Sequence, residues 1–314
     1  NPSNYQVIGE IQVSTEEEIK TKVIKAKSVQ STWRDLGIEQ RVELLRKAFV
    51  EFLSRKEEIC RLESQEMGMP LQHALLDIDA NFSFADWYFD NASIYLSPEI
   101  TFESDTEIHQ VFYEPIGLMA LIIPWNFPFA NFIWGALQSL ICGNVVIMKH
   151  SEEVPLFARF IDEVMNKYLP EGVFSVVYGA GDVGTMLVNQ DINIIGFTGS
   201  TKTGKYLYEI AGKKFIKAVV ELGGSAPGVV FDDSDLDLVV ESVTFNRVFN
   251  QGQMCDGLKR LVVQESITDQ LIDKLKSKFE SLKIGSSEDP STDIGPLVAK
   301  RQLDLLISQV EDSI

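Results

Sequence analysis

Three side chains in this 314-residue sequence have the chemistry of a covalent catalyst that acts on a carbonyl group. Cys255 ends the run NQGQMC, Glu221 stands 34 residues earlier in VELGG, and Asn126 lies in PWNFP. A thiol nucleophile, a carboxylate base and a side-chain amide donor are the groups needed to oxidise an aldehyde through a thioester. The sequence therefore predicts thiol-dependent carbonyl chemistry.

Each of these residues also has an ordinary structural interpretation. Most cysteines in folded proteins are inert and buried, but the neighbours of Cys255 are polar or small, unlike a core setting. Glu221 follows the apolar run 215–220, so we expect its carboxylate to be buried, with a raised pKa that suits a general base. The alternative is an ordinary glutamate at the end of a strand, without a catalytic role. Asn126 lies among apolar residues and needs a partner, either a substrate oxyanion or the backbone of a turn.

Two glycine-containing turns follow predicted strands. Residues 179–184 (GAGDVG) fit the GxGxxG pattern of dinucleotide-binding turns, although glycines at such turns are as often packing residues. Residues 197–204 (FTGSTKTG) leave backbone amides at a helix N-terminus, where pyrophosphate binds well, while Ser200 is alternatively a simple N-cap. The two turns together favour nucleotide binding.

Lys149 and Glu152 follow another predicted strand, 145–148. A carboxylate at the carboxyl end of a strand can accept both hydroxyls of a ribose, and the ammonium can donate to the same sugar. A solvated charged loop is the commoner fate of such residues. The direct attachment of the lysine to an apolar strand favours the ribose site.

The elements around these residues predict an α/β fold with a doubly wound parallel sheet. Helices are predicted after a capping box at Ser14 or Thr15, from Gly37 to Gly68, and over residues 71–96. Residues 101–114 have an extended pattern, expected to form a projecting hairpin arm or an edge pair. Continuous apolar strands that alternate with helices indicate a sheet covered on both faces. These strands are expected at 118–123, 145–148, 174–178, 192–197 and 215–220.

A second α/β unit is expected to begin near residue 223, with strands at 228–231 and 260–264 and helices at 235–250 and 266–282. The expected units are a nucleotide-binding unit formed by 1–100 and 116–222, a projecting segment at 101–115, and a second α/β unit at 223–314.

Composition excludes several functional classes. The formal charge of −18 would repel nucleic acid and anionic lipid, and the apolar runs are too short to span a membrane. Three cysteines without a CxxC pair argue against zinc and fit a reducing cytosol. We therefore expect a soluble cytoplasmic protein whose partner is a small molecule.

The motifs resemble the aldehyde dehydrogenase superfamily from Asn1 to about Ile314, most specifically PWNFP, FTGSTKTG, ELGG and GQMC with Arg260 beyond. The resemblance implies that Cys255 is the nucleophile, Glu221 the deacylating base and Asn126 the oxyanion donor. It also implies an NAD cofactor, with NADP disfavoured because Glu152 would repel a 2′-phosphate. The implied cofactor-binding residues are Ile123, Trp125, Lys149, Glu152, Gly181, Gly199, Ser200, Gly204 and Leu222.

The residues in and around these motifs are similar to those of the succinate-semialdehyde dehydrogenase branch. That branch, however, commonly has arginines at the positions of Trp134 and Phe249, and those arginines would bind a substrate carboxylate. These two residues are the expected substrate pocket. Without the arginines, an uncharged aliphatic or aromatic aldehyde suits the pocket better than succinate semialdehyde. The resemblance implies that 101–115 is an oligomerisation arm and that 223–314 is a catalytic domain. Family members continue beyond residue 314, so the chain is expected to be truncated and the catalytic domain incomplete. At full length a homodimer or homotetramer is expected.

Two alternatives from other classes stay open. A thiol esterase could use the same thioester and base without a cofactor, and a catalytically silent protein could bind NAD as a scaffold. A CoA-acylating relative would use a thiol instead of water and would not need Glu221, so the presence of this residue favours hydrolysis.

Overall fold

The computed structural model describes residues 1–312, which fall into two compact units. The larger unit comprises Ile11–Ile59 and Asp77–Glu221, and the smaller comprises Asn1–Glu10, Cys60–Leu76 and the chain from Leu222 onward. The later boundary falls between Glu221 and Leu222, one residue before the expected boundary between 222 and 223. The segments 1–10 and 60–76, however, belong to the smaller unit, which corrects the expected assignment of 1–100 to a single domain.

Hydrogen bonds over long sequence separations explain this correction. The Ser3 and Ser287 hydroxyls lie 2.9 Å apart, and Gln65 Nε2 donates to Glu288 Oε1 at 2.7 Å. Gln72 Nε2 donates to the Thr292 carbonyl at 2.7 Å. Local sequence patterns could not predict these hydrogen bonds, because the residues that they join lie more than 200 positions apart.

The first helices form as the sequence predicts, with one exception. Helix α1 (Glu16–Asp35) begins with a capping box in which the Glu18 amide donates to Thr15 Oγ1. The single helix expected from Gly37 to Gly68 is instead two helices, α2 (Ile38–Ser54) and α3 (Lys56–Met67), which meet at Arg55. Arg55 leaves helical geometry at φ −110° and ψ 21°. Helix α4 (Leu71–Tyr95) has the expected extent.

A hairpin follows α4. Strands β1 (Glu99–Glu103) and β2 (Ile108–Val111) pair antiparallel as a separate two-stranded sheet, and every residue of both strands is exposed. The expected arm at 101–115 is therefore a hairpin, and its role in subunit association stays a prediction.

The larger unit is built on a five-stranded sheet with the order β5-β4-β3-β6-β7. Its strands are β3 (Leu118–Ile122), β4 (Val145–Lys149), β5 (Phe174–Val177), β6 (Ile194–Gly199) and β7 (Lys217–Leu222). β3 pairs in parallel with β4 and β6, and β4 pairs in parallel with β5. The chain thus builds outward from β3 in one direction and then in the other, which confirms the doubly wound α/β class. In sheets of this kind, ligands usually bind at the carboxyl ends of the strands where the winding direction changes.

Helices connect these strands. They are α5 (Pro128–Phe132) and α6 (Gln138–Ile141), joined by a π-helical turn at Ile133–Leu137, then α7 (Pro155–Tyr168), α8 (Gly181–Val188) and α9 (Thr201–Lys214). Residues 145–149 of β4 are entirely buried, as expected for a strand covered on both faces.

The last strand of the sheet departs from expectation. Phe215, predicted to begin a buried strand, is the left-handed C-cap of α9 and is 98% exposed. β7 begins two residues later and alternates exposed and half-buried side chains. β7 is an edge strand, but so is the buried β5, so the exposure of β7 reflects faces that the described residues leave only partly covered.

The smaller unit has its own sheet and core. Strands β8 (Ala226–Val230) and β9 (Leu258–Val263) are parallel, and helices α10 (Leu236–Val248) and α11 (Thr268–Glu280) lie close to the predicted positions. Val230, Val240 and Leu271 form the buried core. Val229 and Val262 are about 60% exposed on these strands. Helix α12 (Lys300–Glu311) follows.

Candidate active site

Cys255 lies on an exposed loop between a short 3-10 turn, Phe249–Gly252, and the start of β9. Its thiol is exposed, whereas Cys60 is buried. The Cys255 carbonyl accepts a hydrogen bond from the Gly224 amide at 3.0 Å, which ties this loop to the segment that precedes β8. The inert, buried interpretation of Cys255 therefore does not hold, and its thiol is accessible to a reagent or substrate.

Cys142 is a different kind of thiol. Burial raises the pKa of Cys142, and the nearby Arg41 guanidinium only partly opposes that effect. A thiol with a raised pKa is a poor nucleophile near neutral pH. Among the three cysteines, exposure therefore favours Cys255.

Glu221 is the penultimate residue of β7, and its side chain is exposed. The expectation that it would be buried was wrong in this structure, because Glu221 lies on the exposed face of a strand that alternates exposed and half-buried side chains. The carboxylate does emerge at the carboxyl end of the strand, as predicted. There it is open to water.

Asn126 is half-buried in the segment between β3 and α5. The next residue, Phe127, has a carbonyl that accepts two hydrogen bonds, from the Asn131 amide at 2.9 Å and from Asn131 Nδ2 at 2.8 Å. Pro128 occupies the first helical position of α5, where its missing N–H costs nothing. The backbone that carries Asn126 is therefore fixed on its C-terminal side.

His150 provides a second tether for this segment, one that the sequence did not reveal. Its ring is buried, and Nδ1 accepts from the Ser151 amide at 2.9 Å. The neutral ring consequently carries its proton on Nε2, which donates to the Pro128 carbonyl at 3.3 Å. Burial lowers the pKa of His150 to about 3, so the ring stays neutral at physiological pH. The position directly after a buried strand was the only signal in the sequence.

Lys149, Glu152 and the glycine turn after β5 come together at the carboxyl edge of the sheet. Lys149 is 4% exposed, and its Nζ donates to the Gly179 carbonyl at 2.8 Å and lies 3.8 Å from Glu152 Oε2. Burial lowers the pKa of Lys149, against the opposing attraction of Glu152 and Asp182. The Lys149 ammonium has three N–H donors. One of them donates to the Gly179 carbonyl, so the ammonium can still donate to a sugar hydroxyl.

The second turn begins a helix. Ser200 is the N-cap of α9, and its Oγ accepts from the Thr203 amide at 3.3 Å. The N-cap interpretation of Ser200 is thus present, and the amide-rich N-terminus of a 14-residue helix remains suited to an anion. At Gly199, an added Cβ would lie 2.5 Å from Phe197 Cζ, so the chain passes over that ring only because residue 199 is glycine.

The other predicted residues divide between the two units. Ile123 is buried, Trp125 half-buried, Gly181 exposed and Gly204 buried, all in the larger unit, and Leu222 is half-buried in the smaller unit. Their contacts with a cofactor stay predictions.

The two predicted pocket residues differ in exposure. Trp134 is 43% exposed on the π-helical turn and meets Phe84 of α4 edge-on, with ring centroids 6.5 Å apart. Phe249 is only 7% exposed, and its ring lies 4.7 Å from that of His73. Trp134 therefore offers an aromatic surface, whereas Phe249 is largely covered in the smaller unit.

Within residues 1–312, no group of three or more His, Cys, Asp and Glu side chains is arranged to hold a metal ion. In the same range, none of the helices combines the length and apolar character needed to cross a bilayer.

Two known proteins are similar to this chain in sequence. The chain is 33% identical to glutarate-semialdehyde dehydrogenase of Pseudomonas putida, covering 100% of this chain and 66% of that protein. It is 34% identical to the peroxisomal aminoaldehyde dehydrogenase 1 of Pisum sativum, covering 96% of this chain and 62% of the relative. The chain thus spans about two thirds of the length of these relatives, or slightly less.

Solved structures match the fold closely. PnpE from Pseudomonas sp. WBC-3 superimposes with a TM-score of 0.95 at 30% identity, covering 100% of this chain and 65% of PnpE. KauB from Pseudomonas aeruginosa, an aldehyde dehydrogenase, gives 0.94 at 30% identity, covering 99% of this chain and 64% of KauB. The sequence model of the aldehyde dehydrogenase family matches residues 1–314. The chain belongs to the aldehyde dehydrogenase family.

Proposed function

We propose that the protein oxidises an aldehyde to a carboxylic acid with NAD as the electron acceptor. The observation that carries this proposal is the exposed thiol of Cys255, on a loop tied to Gly224, in a chain that matches the family along its whole length. A buried thiol would have favoured a silent scaffold instead.

Cys255 supplies the first step. Its thiolate adds to the aldehyde carbon, a C–S bond forms, and the carbonyl electron pair moves to oxygen. Asn126 Nδ2 donates to that oxyanion, and the hydrogen bonds at Phe127 and Pro128 hold the asparagine backbone in place for this role. NAD, when bound, would accept the hydride that leaves the thiohemiacetal carbon, and the carbon held on Cys255 would then be at the oxidation level of a thioester.

Glu221 supplies the last step. Its exposed carboxylate takes a proton from a water molecule, which attacks the thioester carbon. The C–S bond breaks, the carboxylic acid leaves, and the Cys255 thiolate is restored. The exposure of Glu221 supports water as the acceptor rather than a thiol cosubstrate.

The residues at the carboxyl edge of the larger unit's sheet fit NAD. Lys149 and Glu152 offer a donor and an acceptor to one ribose, and the N-terminus of α9 offers amides to the pyrophosphate. Glu152 would repel a 2′-phosphate, which supports NAD over NADP. PnpE has been crystallised with nicotinamide adenine dinucleotide, in agreement with this choice. Comparable kcat/KM values for the two cofactors would contradict it.

The substrate is proposed to be an uncharged aliphatic or aromatic aldehyde. The exposed Trp134–Phe84 pair supports this choice, because an aromatic surface gives a carboxylate no partner. The relatives' names point to differently substituted substrates, a semialdehyde acid and an aminoaldehyde, so neither substrate is transferred here. Hexanal should give a higher kcat/KM than succinate semialdehyde, and Trp134→Arg should narrow the difference.

The main experiment is NADH formation from a panel of aldehydes, measured by absorbance. Cys255→Ala should abolish it, Glu221→Gln should stop turnover after acylation, and Cys142→Ala is the matched control that should retain it. Ester cleavage without NAD binding would instead indicate a thiol esterase. NAD binding by calorimetry without thiol-dependent turnover would indicate a scaffold.

Assembly is proposed to be a homodimer or homotetramer through the β1–β2 hairpin. The hairpin leaves Ile100, Phe102 and Ile108 about half exposed, which gives it an apolar surface that a second copy could cover. Light scattering should show a multimer, and Phe102→Glu should weaken it. A monomer for both proteins at every concentration would end this part of the proposal.

A further inference from the structure

The turn before Cys255 has an unusual backbone. Asn250 (φ 49°, ψ 39°) and Gln251 (φ 55°, ψ 24°) are both left-handed, and Gly252 follows at φ 72°. Asparagine tolerates this region, but glutamine does so rarely, and consecutive left-handed residues are sterically disfavoured. Such strain persists only where the surroundings hold it, and it is concentrated at functional sites.

Side chains from three parts of the smaller unit hold the turn. The buried Asn250 donates its backbone N–H to Nδ1 of His73 at 3.3 Å, and Gln251 Nε2 donates to the Gly68 carbonyl at 2.8 Å. Gln253 accepts from the Val298 amide at 3.1 Å and donates to the Asn250 carbonyl at 3.3 Å. Two of these contacts, at His73 and Gly68, come from the segment 60–76.

The turn determines where the thiol is presented. Cys255 lies three residues beyond Gly252, and its carbonyl is held on the other side by the Gly224 amide. An added Cβ at Gly252 would lie 2.1 Å from Arg247 Nη2, and one at Gly224 would lie 2.9 Å from the Cys255 carbonyl. Both approaches require glycine, so the loop is fixed at its two ends and the thiol lies between them.

We propose that His73 is a positioning residue for Cys255. It acts through the left-handed turn, by accepting the Asn250 N–H on Nδ1. Its ring also lies beside that of Phe249, with the ring centroids 4.7 Å apart. The hydrogen bond requires a neutral ring with its proton on Nε2, and burial lowers the pKa of His73, which keeps it neutral. The inference rests on the proposed role of Cys255 as the nucleophile.

Two substitutions of His73 distinguish the effect of its hydrogen-bond acceptor, Nδ1, from the effect of its aromatic ring. His73→Asn keeps an acceptor near the Nδ1 position, whereas His73→Phe keeps an aromatic ring against Phe249 and loses the acceptor. Gln72→Ala is the matched control, because it removes a neighbouring bond to the Thr292 carbonyl without touching the turn. Alkylation of Cys255 by iodoacetamide, followed by mass spectrometry, measures thiol presentation without any turnover.

His73→Phe should change the alkylation rate of Cys255 by about threefold to tenfold, the range for one buried hydrogen bond. His73→Asn and Gln72→Ala should stay near the unaltered rate, and kcat should fall in His73→Phe while the Kd of NAD does not change. His73→Ala serves as a second variant with the same expectation.

An unchanged alkylation rate in both His73→Phe and His73→Ala would overturn the inference, as would an equal change in Gln72→Ala. A lack of NADH formation by the unaltered protein would count against the proposed function instead. In that case the alkylation rates still decide whether His73 controls the thiol.

Discussion

Two buried groups give the larger unit opposite responses to acid, and substitutions can separate them. His150 has its pKa lowered from 6.5 to about 3 by burial, and burial raises the pKa of Asp77 from 3.8 to about 7, against the opposing hydrogen bond from Asn81. Asn81 Nδ2 donates to Asp77 Oδ1 at 3.1 Å. Among the described residues, no donor reaches the buried Asp77 Oδ2.

The direction of each pH effect on stability follows from the number of protons bound by the folded and the unfolded protein. Between about pH 3 and 6.5 the unfolded chain binds a proton on His150 that the folded protein does not, so stability from this group is full above 6.5 and is lost as pH falls. Between 3.8 and about 7 the folded protein binds a proton on Asp77 that the unfolded chain does not, so its contribution is present at low pH and is lost as pH rises.

Each effect amounts to about 1.4 kcal/mol per pH unit in its window. From about pH 4.5 to 6 both windows apply, so the two slopes nearly cancel, and each alone would change the free energy of unfolding by about 2 kcal/mol. Asp77→Asn should therefore lose about 2 kcal/mol relative to the unaltered protein on acidification over this range. His150→Met should gain a similar amount over the same range.

Urea unfolding at several pH values measures these slopes. Each substitution also changes the free energy of unfolding by a constant amount at every pH. That change does not affect the test, because only the slopes of the free energy of unfolding against pH are compared. Asp86→Asn, with an exposed side chain on the same helix, is the control for loss of a carboxylate and should leave the slope unchanged. Slopes equal to that of the unaltered protein in both Asp77→Asn and His150→Met would refute the reasoning.

Three further predictions concern single side chains. Arg41→Lys should lower the free energy of unfolding by about 2 to 4 kcal/mol in urea titrations, because the buried guanidinium donates to the carbonyls of Trp33, Arg34 and Ile141; a loss below about 1 kcal/mol would contradict this. Gly199→Ala should weaken NAD binding in calorimetry, since the new Cβ would displace the backbone from Phe197; unchanged affinity would show that the turn is not part of the site. Glu152→Gln should lower the NAD to NADP ratio of kcat/KM by about tenfold, a loss of charge repulsion; an unchanged ratio would remove Glu152 from cofactor selection.

Local patterns predicted much of the fold correctly. The capping box at Thr15, the apolar run of β4 and the length of α4 are each determined by neighbouring residues. Glycine turns after strands likewise predicted where Ser200 begins α9. Lys149 and Glu152 lie 3.8 Å apart at the carboxyl end of β4, and their binding of a ribose stays a prediction.

Features that depend on distant residues were not predictable. Glu221 was expected to be buried because its strand is apolar, but its exposure depends on whether other parts of the chain cover that face of β7. The roles of His150 and His73 were missed because their partners, the Pro128 carbonyl and the Asn250 amide, come from other parts of the chain. A histidine gives no signal in sequence of which backbone group it will meet.

The bond from Lys149 to Gly179 has a thermodynamic consequence. A free lysine side chain has up to about 2 kcal/mol of rotamer entropy to lose when it is ordered. Here the buried side chain is already immobilised by the Gly179 carbonyl. That ordering penalty, together with the removal of the ammonium from water, falls on the folding reaction, so the ribose of the proposed cofactor would meet a donor with few alternative orientations to give up.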